Sequence, residues 1–463
     1  MNPSSTTPAS LAPWWKELNG YHWFVFTMAS LAWLFDCLDQ QLFLVARPAA
    51  MASLLKEGMD PKFYGGLSTT FFVAGWAIGG LIFGAVGDRI GRAKTLALTV
   101  LIYSVCTGLS AFSIGFWDFA AYRLITGFGV GGVFGLAVAL VADSLPDRAR
   151  PHALGLLQAL SAVGNITAAS IAIIVGYLQI QAIESGVAAK TDMWRTMFLI
   201  GALPAFMVVF IQIKLKEPEK WVKARAEGKA TGVKFGSYSA LLGKPRWRKN
   251  ALVGMFLCIS GVIGLWGIGF FSPELINDVI GKALVADKVP DALVPGWKMI
   301  WTGINMIMQN IGSFFGMMVF TWAASKYGRK PVFAVAYVCA MASTILVFRF
   351  LDDRSDIFWM VPLMGFFQLS LFAGYAIYLP ELFPTSLRST GTSFCYNVGR
   401  FIAAAGPFLQ GSLTAIFAAH AATADEKLDA FRDACTWMSL IFLLGLIILP
   451  FAPETKGRDL PEE

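Results

Sequence analysis

Residues 84–94 read Gly84-Ala-Val-Gly87-Asp88-Arg89-Ile-Gly91-Arg92-Ala-Lys94. An apolar stretch lies on either side, 63–87 and 93–113. A helix needs about 20 apolar residues to cross the hydrocarbon core of a bilayer, and both stretches suffice. The segment is therefore a short charged break between two spanning helices. A second break, Ser325-Lys326-Tyr327-Gly328-Arg329-Lys330, separates the stretches 299–323 and 331–351 in the same way.

Working outward, twelve stretches qualify: 22–47, 63–87, 93–113, 116–142, 153–178, 194–215, 251–275, 299–323, 331–351, 357–380, 390–417 and 434–452. The expected fold class is an all-α membrane protein of twelve transmembrane helices. Composition agrees. Of 463 residues, 56% are hydrophobic and only 14% charged, and the mean hydropathy is +0.61. A soluble domain carries about 25% charged residues. Such a chain cannot cover a globule with polar side chains, which argues against a soluble enzyme, a secreted scaffold or a disordered protein. Clustered glycines, as at Gly127, Gly129, Gly131, Gly132 and Gly135, suit close helix packing in lipid.

The six cysteines show no CxxC or CxxH spacing, so neither a metal site nor a disulfide framework is expected. His22, His152 and His420 are too scattered for a metal cluster. No phosphate-binding glycine loop and no Gly-x-Ser-x-Gly elbow occurs, so neither ATP-driven transport nor hydrolysis is supported. No cofactor is expected. Residues Met1 to Pro13 lack the features of a signal peptide and read as a flexible tail.

Lys and Arg set the orientation. With both termini cytoplasmic, the inner segments hold 23 of them and the outer segments 12. The stretch 214–249 alone has eleven bases against three acids. Its position marks an inside anchor rather than a nucleic-acid patch.

The chain also repeats. Asp143-Ser-Leu-Pro146 with Arg150 recurs as Glu381-Leu-Phe-Pro384 with Arg388, at an offset of 238. Gly91-Arg92 recurs as Gly328-Arg329 at 237, and Pro218-Glu219 as Pro453-Glu454 at 235. Three matches in one order imply a duplicated six-helix half: 1–215, a cytoplasmic linker 216–250, and 251–463. Such duplication marks a transporter whose site lies between its halves.

On these residues the chain resembles the major facilitator superfamily over nearly its whole length. The stretch 84–94 is similar to that superfamily's G-x-x-x-D-R-x-G-R-[RK] signature, although the second copy has Ser325 where Asp is expected. Tyr122-Arg123, Asp143 to Arg150 with Gln158, Trp194-Arg195, Glu381 to Arg388 and Pro453-Glu-Thr-Lys-Gly-Arg458 resemble the sugar-porter branch and its metabolite:proton relatives. The Gln-Gln pair of the sugar porters' seventh helix is absent, Cys258 to Trp266 standing there, and so is the tryptophan of their tenth. Trp15 to Asn19, Trp23 and Asp36-Cys-Leu-Asp39 look more like sialate and aromatic-acid proton symporters. The resemblance implies two pseudo-symmetric six-helix bundles and alternating-access transport of a small molecule across a bacterial inner membrane or plasma membrane. It implies no enzyme activity.

Ionisable groups within spans are costly, and four stand out: Asp36, Asp39, Arg123 and Arg400. Asp36 and Asp39 share one helix face, roughly 21–25 Å in from the cytoplasmic end of the first span and so near the outer third of a ~30 Å core, and Arg123 lies about 10 Å below the outer surface, a compatible depth. An Asp–Arg contact is allowed. It forms either a static ion pair or a proton switch in which the arginine moves as the halves rock. The resemblance places the proton-carrying group at Asp39 and its partner at Arg123. Arg400 lies roughly 15 Å deep, near the midplane, and with Asn397 one turn earlier it can hold a carboxylate or bridge to another helix. Gln158, Asn165, Asn305, Gln309, Gln368 and Tyr375 lie at similar depth and are expected to line the cavity or bond between helices. Trp266 and Phe270 read as packing or lipid-facing aromatics. Asp88, Arg89, Arg92, Asp143, Arg150, Arg329, Glu381 and Arg388 fall at cytoplasmic helix ends, where the resemblance implies a salt-bridge lock on the outward-open state. The expected activity is proton-coupled symport of a small polar metabolite, an organic acid before a sugar, by a monomer in the bilayer. A sugar porter and a non-transporting membrane sensor are the alternatives.

Overall fold

The computed structural model describes residues 13–185, 193–202, 214–268, 272–403, 406–419 and 423–462. Every expected span is helical over most of its described length. The first half comprises α1 (Gly20–Leu54), α2 (Pro61–Ile90), α3 (Arg92–Ser110), α4 (Phe116–Ser144), the consecutive α5 (Arg150–Ala159) and α6 (Ser161–Glu184), and α7 (Met193–Gly201). Two short helices follow, α8 (Glu219–Thr231) and α9 (Tyr238–Gly243). The second half comprises α10 (Pro245–Val262), a π-helical turn (Ile263–Ile268), α11 (Ser272–Ala286), α12 (Val294–Tyr327), α13 (Arg329–Phe350) and α14 (Met360–Glu381). Four more helices complete it: α15 (Arg388–Ala403), α16 (Gly406–Phe417), α17 (Ala424–Met438) and α18 (Phe442–Ile448).

Among the described residues, eight helical segments are long and apolar enough to cross a membrane on composition alone. Helices α1 and α12 fall outside that set, and both carry polar side chains into the interior. Large apolar residues such as Ile78, Leu98, Ile174, Val335 and Ile447 are exposed on the outside, which suits lipid and not water.

Helix α1 begins at a capping box. The Asn19 side chain accepts the His22 N–H at 2.8 Å, and His22 Nδ1 accepts the Asn19 N–H at 3.4 Å. It then runs on through Pro48 to Leu54, beyond the boundary expected at residue 47. Arg47, at the very end of the expected span, is therefore well inside a helix.

Glycine lets the helices of each half touch backbone to backbone. A Cβ built on Gly75 or Gly79 would lie 2.0 Å from the Leu124 carbonyl oxygen or 1.9 Å from that of Phe128. Gly127 and Gly131 answer them against Phe72 and Trp76. The second half repeats the device, with Gly312 and Gly316 on the carbonyls of Pro362 and Phe366. Any side chain at these positions forces α2 from α4, or α12 from α14.

The repeat at 218–219 and 453–454 is corrected by the structure. The Glu454 carboxylate accepts the main-chain N–H groups of Arg329 and Lys330, at 2.9 and 3.0 Å, and so caps α13. Its counterpart is Glu217, not Glu219. Glu217 accepts the N–H groups of Arg92, Ala93 and Lys94 at 2.7 to 3.2 Å and caps α3. Position relative to proline misleads, because the helix N-terminus recruits whichever carboxylate reaches its free N–H groups.

Candidate functional site

Two seams join the halves. In the first, α2 and α4 meet α15 through small residues. A Cβ on Gly84 would sit 2.5 Å from Ser393 Cβ, and one on Gly135 would sit 2.0 Å from Ser393 Oγ. In the second, α6 meets α12, where Gly176, Gly296 and Gly303 allow close approach. Asn165 on α6 donates to Asn310 on α12 at 2.9 Å across that seam.

The motif residues close one end of the first seam. The buried Asp88 carboxylate accepts the Thr390 N–H at 2.8 Å, the Thr390 hydroxyl at 2.7 Å and the Ser389 N–H at 3.2 Å. Asp88 of one half thus caps α15 of the other. Arg92 reaches Asp88 at 3.2 Å, Asp143 at 2.9 Å and the Thr385 carbonyl at 2.8 Å. Arg388 pairs with Asp143 across the seam and donates to the carbonyls of Pro380 and Phe383. These four charges form one buried cluster spanning both halves.

The remaining motif residues act elsewhere. Arg329 holds Glu381 with two hydrogen bonds, at 2.7 and 3.1 Å, within the second half. Arg150 pairs with Asp147 and donates to the Ala142 carbonyl at 3.0 Å. Among the described residues Arg89 forms no ion pair. It donates to the carbonyls of Phe235 and Gly236, at 3.3 and 3.0 Å, in the segment between α8 and α9. That segment also bonds to the second half, the Gly236 N–H donating to the Ser386 carbonyl at 3.0 Å.

Beyond this closed end lies a cavity of about 380 Å³ between the halves. Helix α1 supplies a wall of Trp33, Cys37, Gln40, Gln41, Leu44 and Arg47. Arg47 is ten residues past Cys37, so the wall runs about 15 Å toward the opposite end. Arg400 and Tyr396 of α15 and Phe372 and Leu369 of α14 face it. The Arg400 guanidinium lies 3.6 Å from the centre of the Trp76 ring and 4.2 Å from that of Tyr396, whose hydroxyl accepts a hydrogen bond from Arg400 Nη2 at 3.1 Å. Tyr396 in turn stacks on Phe134 at 4.0 Å.

Of the polar residues expected to line a cavity, Arg400, Gln158, Asn165 and Gln309 do so. The structure moves the other four out. Asn397 sits in the seam against Gly80 and donates to the Ser393 carbonyl at 2.9 Å. Asn305 donates to Ser272 at 3.3 Å, Gln368 to Thr344 at 2.6 Å, and Tyr375 to the Leu257 carbonyl at 2.8 Å. Depth along a helix does not say which face a side chain takes. Phe270 lies outside the described residues, as do His420 and the side chain of Trp266. Sequence reading missed Arg47, which donates to Thr69 Oγ1 at 2.7 Å, and Glu274 of α11, whose charge acts on Arg47. A basic residue just before Pro48 was the available signal, had the helix been carried through the proline.

Asp39 and Arg123 are fully buried and 4.0 Å apart. Arg123 is further held by Ser110 Oγ at 2.7 Å and by the ring of Phe198 at 4.7 Å. The contact expected from depth is present. The expected movement is not a rigid-body one, because α1 and α4 belong to the same half and rocking carries both residues together. Asp36 is also buried, one turn before Gln40 on the same helix.

The sequence profile described as Major Facilitator Superfamily matches residues 29–308. The chain belongs to that superfamily. It is 27% identical over 450 residues to a putative metabolite transport protein of Haemophilus influenzae, covering 96% of this chain and 99% of that one. It is 27% identical over 444 residues to a probable 4-methylmuconolactone transporter of Cupriavidus pinatubonensis, covering 96% and 93%. The proton:xylose symporter XylE bound to 6-bromo-6-deoxy-D-glucose superposes with a TM-score of 0.71 at 18% identity, covering 95% of this chain and 98% of XylE, a likeness of fold. This is a multi-pass membrane transporter of that superfamily.

Proposed function

We propose that this transporter carries a small organic anion together with a proton, and that Arg400 holds the substrate's carboxylate. The observation behind this reading is Arg400 itself, a permanent cation on the cavity wall, held by the rings of Trp76 and Tyr396. A guanidinium that lines a cavity suits bidentate binding of a carboxylate. Trp33, Phe372 and Tyr396 offer apolar faces to a flat carbon skeleton, and Gln158, Asn165 and Gln309 offer hydrogen bonds. The name of the methylmuconolactone relative points toward the same class of cargo.

Proton coupling falls to Asp36 and Asp39, with Arg123 biasing Asp39. The buried cluster of Asp88, Arg92, Asp143 and Arg388 is the cytoplasmic gate, and residues 216–250 link the halves on the cytoplasmic side. Both termini then face the cytoplasm.

Counterflow in proteoliposomes tests the substrate class. Vesicles are loaded with benzoate, nicotinate, xylose or glucose, and entry of the labelled compound is followed. Carboxylates should exchange and sugars should not, and Arg400→Gln should lower carboxylate exchange by tenfold or more. Exchange of a sugar, or Arg400→Gln exchanging benzoate and nicotinate as well as the parent does, defeats the reading.

A further inference from the structure

Among the described residues, three charged side chains line the cavity between the halves: Arg47, Glu274 and Arg400. A chain of contacts places Arg400 near the start of the wall that α1 supplies. Trp33 lies 5.1 Å from Phe134, Phe134 stacks on Tyr396 at 4.0 Å, and the Tyr396 hydroxyl accepts a hydrogen bond from Arg400 at 3.1 Å. Arg47 comes 14 residues after Trp33 on the same helix, about 21 Å further along it. Cys37, Gln41, Leu44 and Arg47 follow one another at steps of four, three and three residues, so a single face of α1 runs along the cavity. Arg47 is tied to its own half, its Nη1 donating to Thr69 Oγ1 of α2 at 2.7 Å. Glu274 enters from the other half, in the first turn of α11.

We propose that Arg47 is a second anion subsite, at the end of the cavity away from the Asp88 cluster, which takes the substrate's carboxylate first and passes it along α1 to Arg400. This rests on the carboxylate reading of Arg400 given above. Both guanidiniums are permanent cations with planar donor forks that match a carboxylate. A monocarboxylate has one charge to place, so it engages them in turn. Gln41 and Leu44 form the path between, uncharged and on the same helix face. Glu274 works the other way: its carboxylate repels an arriving anion and competes with it for Arg47. The two residues therefore have opposite effects on substrate capture, whereas a pair that merely closed this end of the cavity would depend on both charges alike.

The test is uptake of labelled nicotinate and benzoate by cells producing the full-length protein, read as KM and maximal rate. Arg47→Gln should raise KM about tenfold, in the range that charge steering supplies, with the maximal rate within about twofold of the parent's. Arg47→Lys, which keeps the charge, should restore most of the parent's KM. Glu274→Gln should lower KM. Raising the ionic strength from about 0.01 to about 0.15 M shortens the Debye length from about 30 to about 8 Å, and should raise the parent's KM while leaving that of Arg47→Gln unchanged. If Arg47→Gln does not fold, the exposed Glu274 decides by sign: a lower KM in Glu274→Gln supports the subsite, and an equal or higher one overturns it. An unchanged KM in Arg47→Gln overturns it, and so does a rise in both variants, which shows a closing ion pair instead. These results leave Arg400 as the anion site. If the parent takes up neither compound, or if Arg400→Gln takes them up with the parent's KM, the carboxylate reading falls and this inference with it.

Discussion

Asp88 accepts two hydrogen bonds from Thr390, 302 positions away, one from its N–H at 2.8 Å and one from its hydroxyl at 2.7 Å. A carboxylate of the first half therefore caps a helix of the second. The pairing exists only while the halves are together at this end, so its strength sets how readily they part. Hydrogen bonds to a charged group contribute about 1.5–3 kcal/mol each.

Asp88→Asn should weaken closure without touching the cavity. Asn keeps one acceptor oxygen but loses the charge that holds Arg92 and the start of α15. In a background whose six native cysteines are replaced, Ser393→Cys reports on the seam, since Ser393 packs against Gly84 and Gly135. Its labelling by a thiol reagent from the motif side should rise at least tenfold on adding Asp88→Asn. An unchanged labelling rate removes Asp88 from the gate.

Gly91 and Gly328 should be the least replaceable of the motif glycines. Their φ values are +134° and +101°. A Cβ there would also lie 2.3 Å from Glu217 Oε1 or 2.9 Å from Glu454 Oε2. Strained backbone of this kind costs about 1–3 kcal/mol, before the loss of the cap is counted. Gly91→Ala and Gly328→Ala should each lower the Tm in detergent by several degrees. Gly232→Ala, with φ +76° but nothing within 4 Å, should lower it less. Equal shifts in all three mean that the glutamate contacts contribute nothing.

Glu454 allows a pH prediction outside the spans. Burial opposes its anion, but the N–H groups of Arg329, Lys330, Lys456 and Thr455 outweigh that and hold its pKa below the usual glutamate value. A depressed carboxylate pKa contributes stability above the unfolded-state pKa, which is lost as pH falls through the folded-state value. Glu454→Gln should therefore be less stable than the parent at pH 7, and the gap should narrow on acidification below about pH 4. A gap that stays constant across that range means the charge is not what stabilises α13.

Asp39→Asn should abolish uptake driven by a pH gradient while substrate exchange persists. Exchange requires only that the loaded carrier reorient. Net accumulation requires a proton to be carried in and released. Arg123, left without its buried anion, should also lower thermal stability, and the double variant Asp39→Asn/Arg123→Gln should recover part of that loss. Concentrative uptake by Asp39→Asn would show the pair to be structural.

The loop between the halves should be inaccessible from outside the cell. Lys229 is exposed at the end of α8. A single cysteine at this position should resist an impermeant thiol reagent in intact cells and react in permeabilised ones. Labelling from outside reverses the proposed orientation.

Much of this architecture was legible in one dimension because lipid imposes a local rule. Each span must be a long apolar helix, so 116–142 could be read as a span without knowledge of its neighbours. The glycines of that helix announced close packing for the same reason. Asp39 and Arg123 could be matched because depth is set by residue count from the membrane surface. What the sequence left open concerns direction around a helix and identity of partners. Gln309 faces the cavity while Asn305, one turn away, bonds to Ser272, and nothing local to α12 separates them. Glu217 caps α3 where Glu219 had been matched, because reach in space and not spacing from proline decides it. The seam that captures Asn397, and the pairing of Asp143 with Arg388, depend on how two six-helix halves pack. Such contacts join residues hundreds of positions apart, and tertiary packing alone determines them.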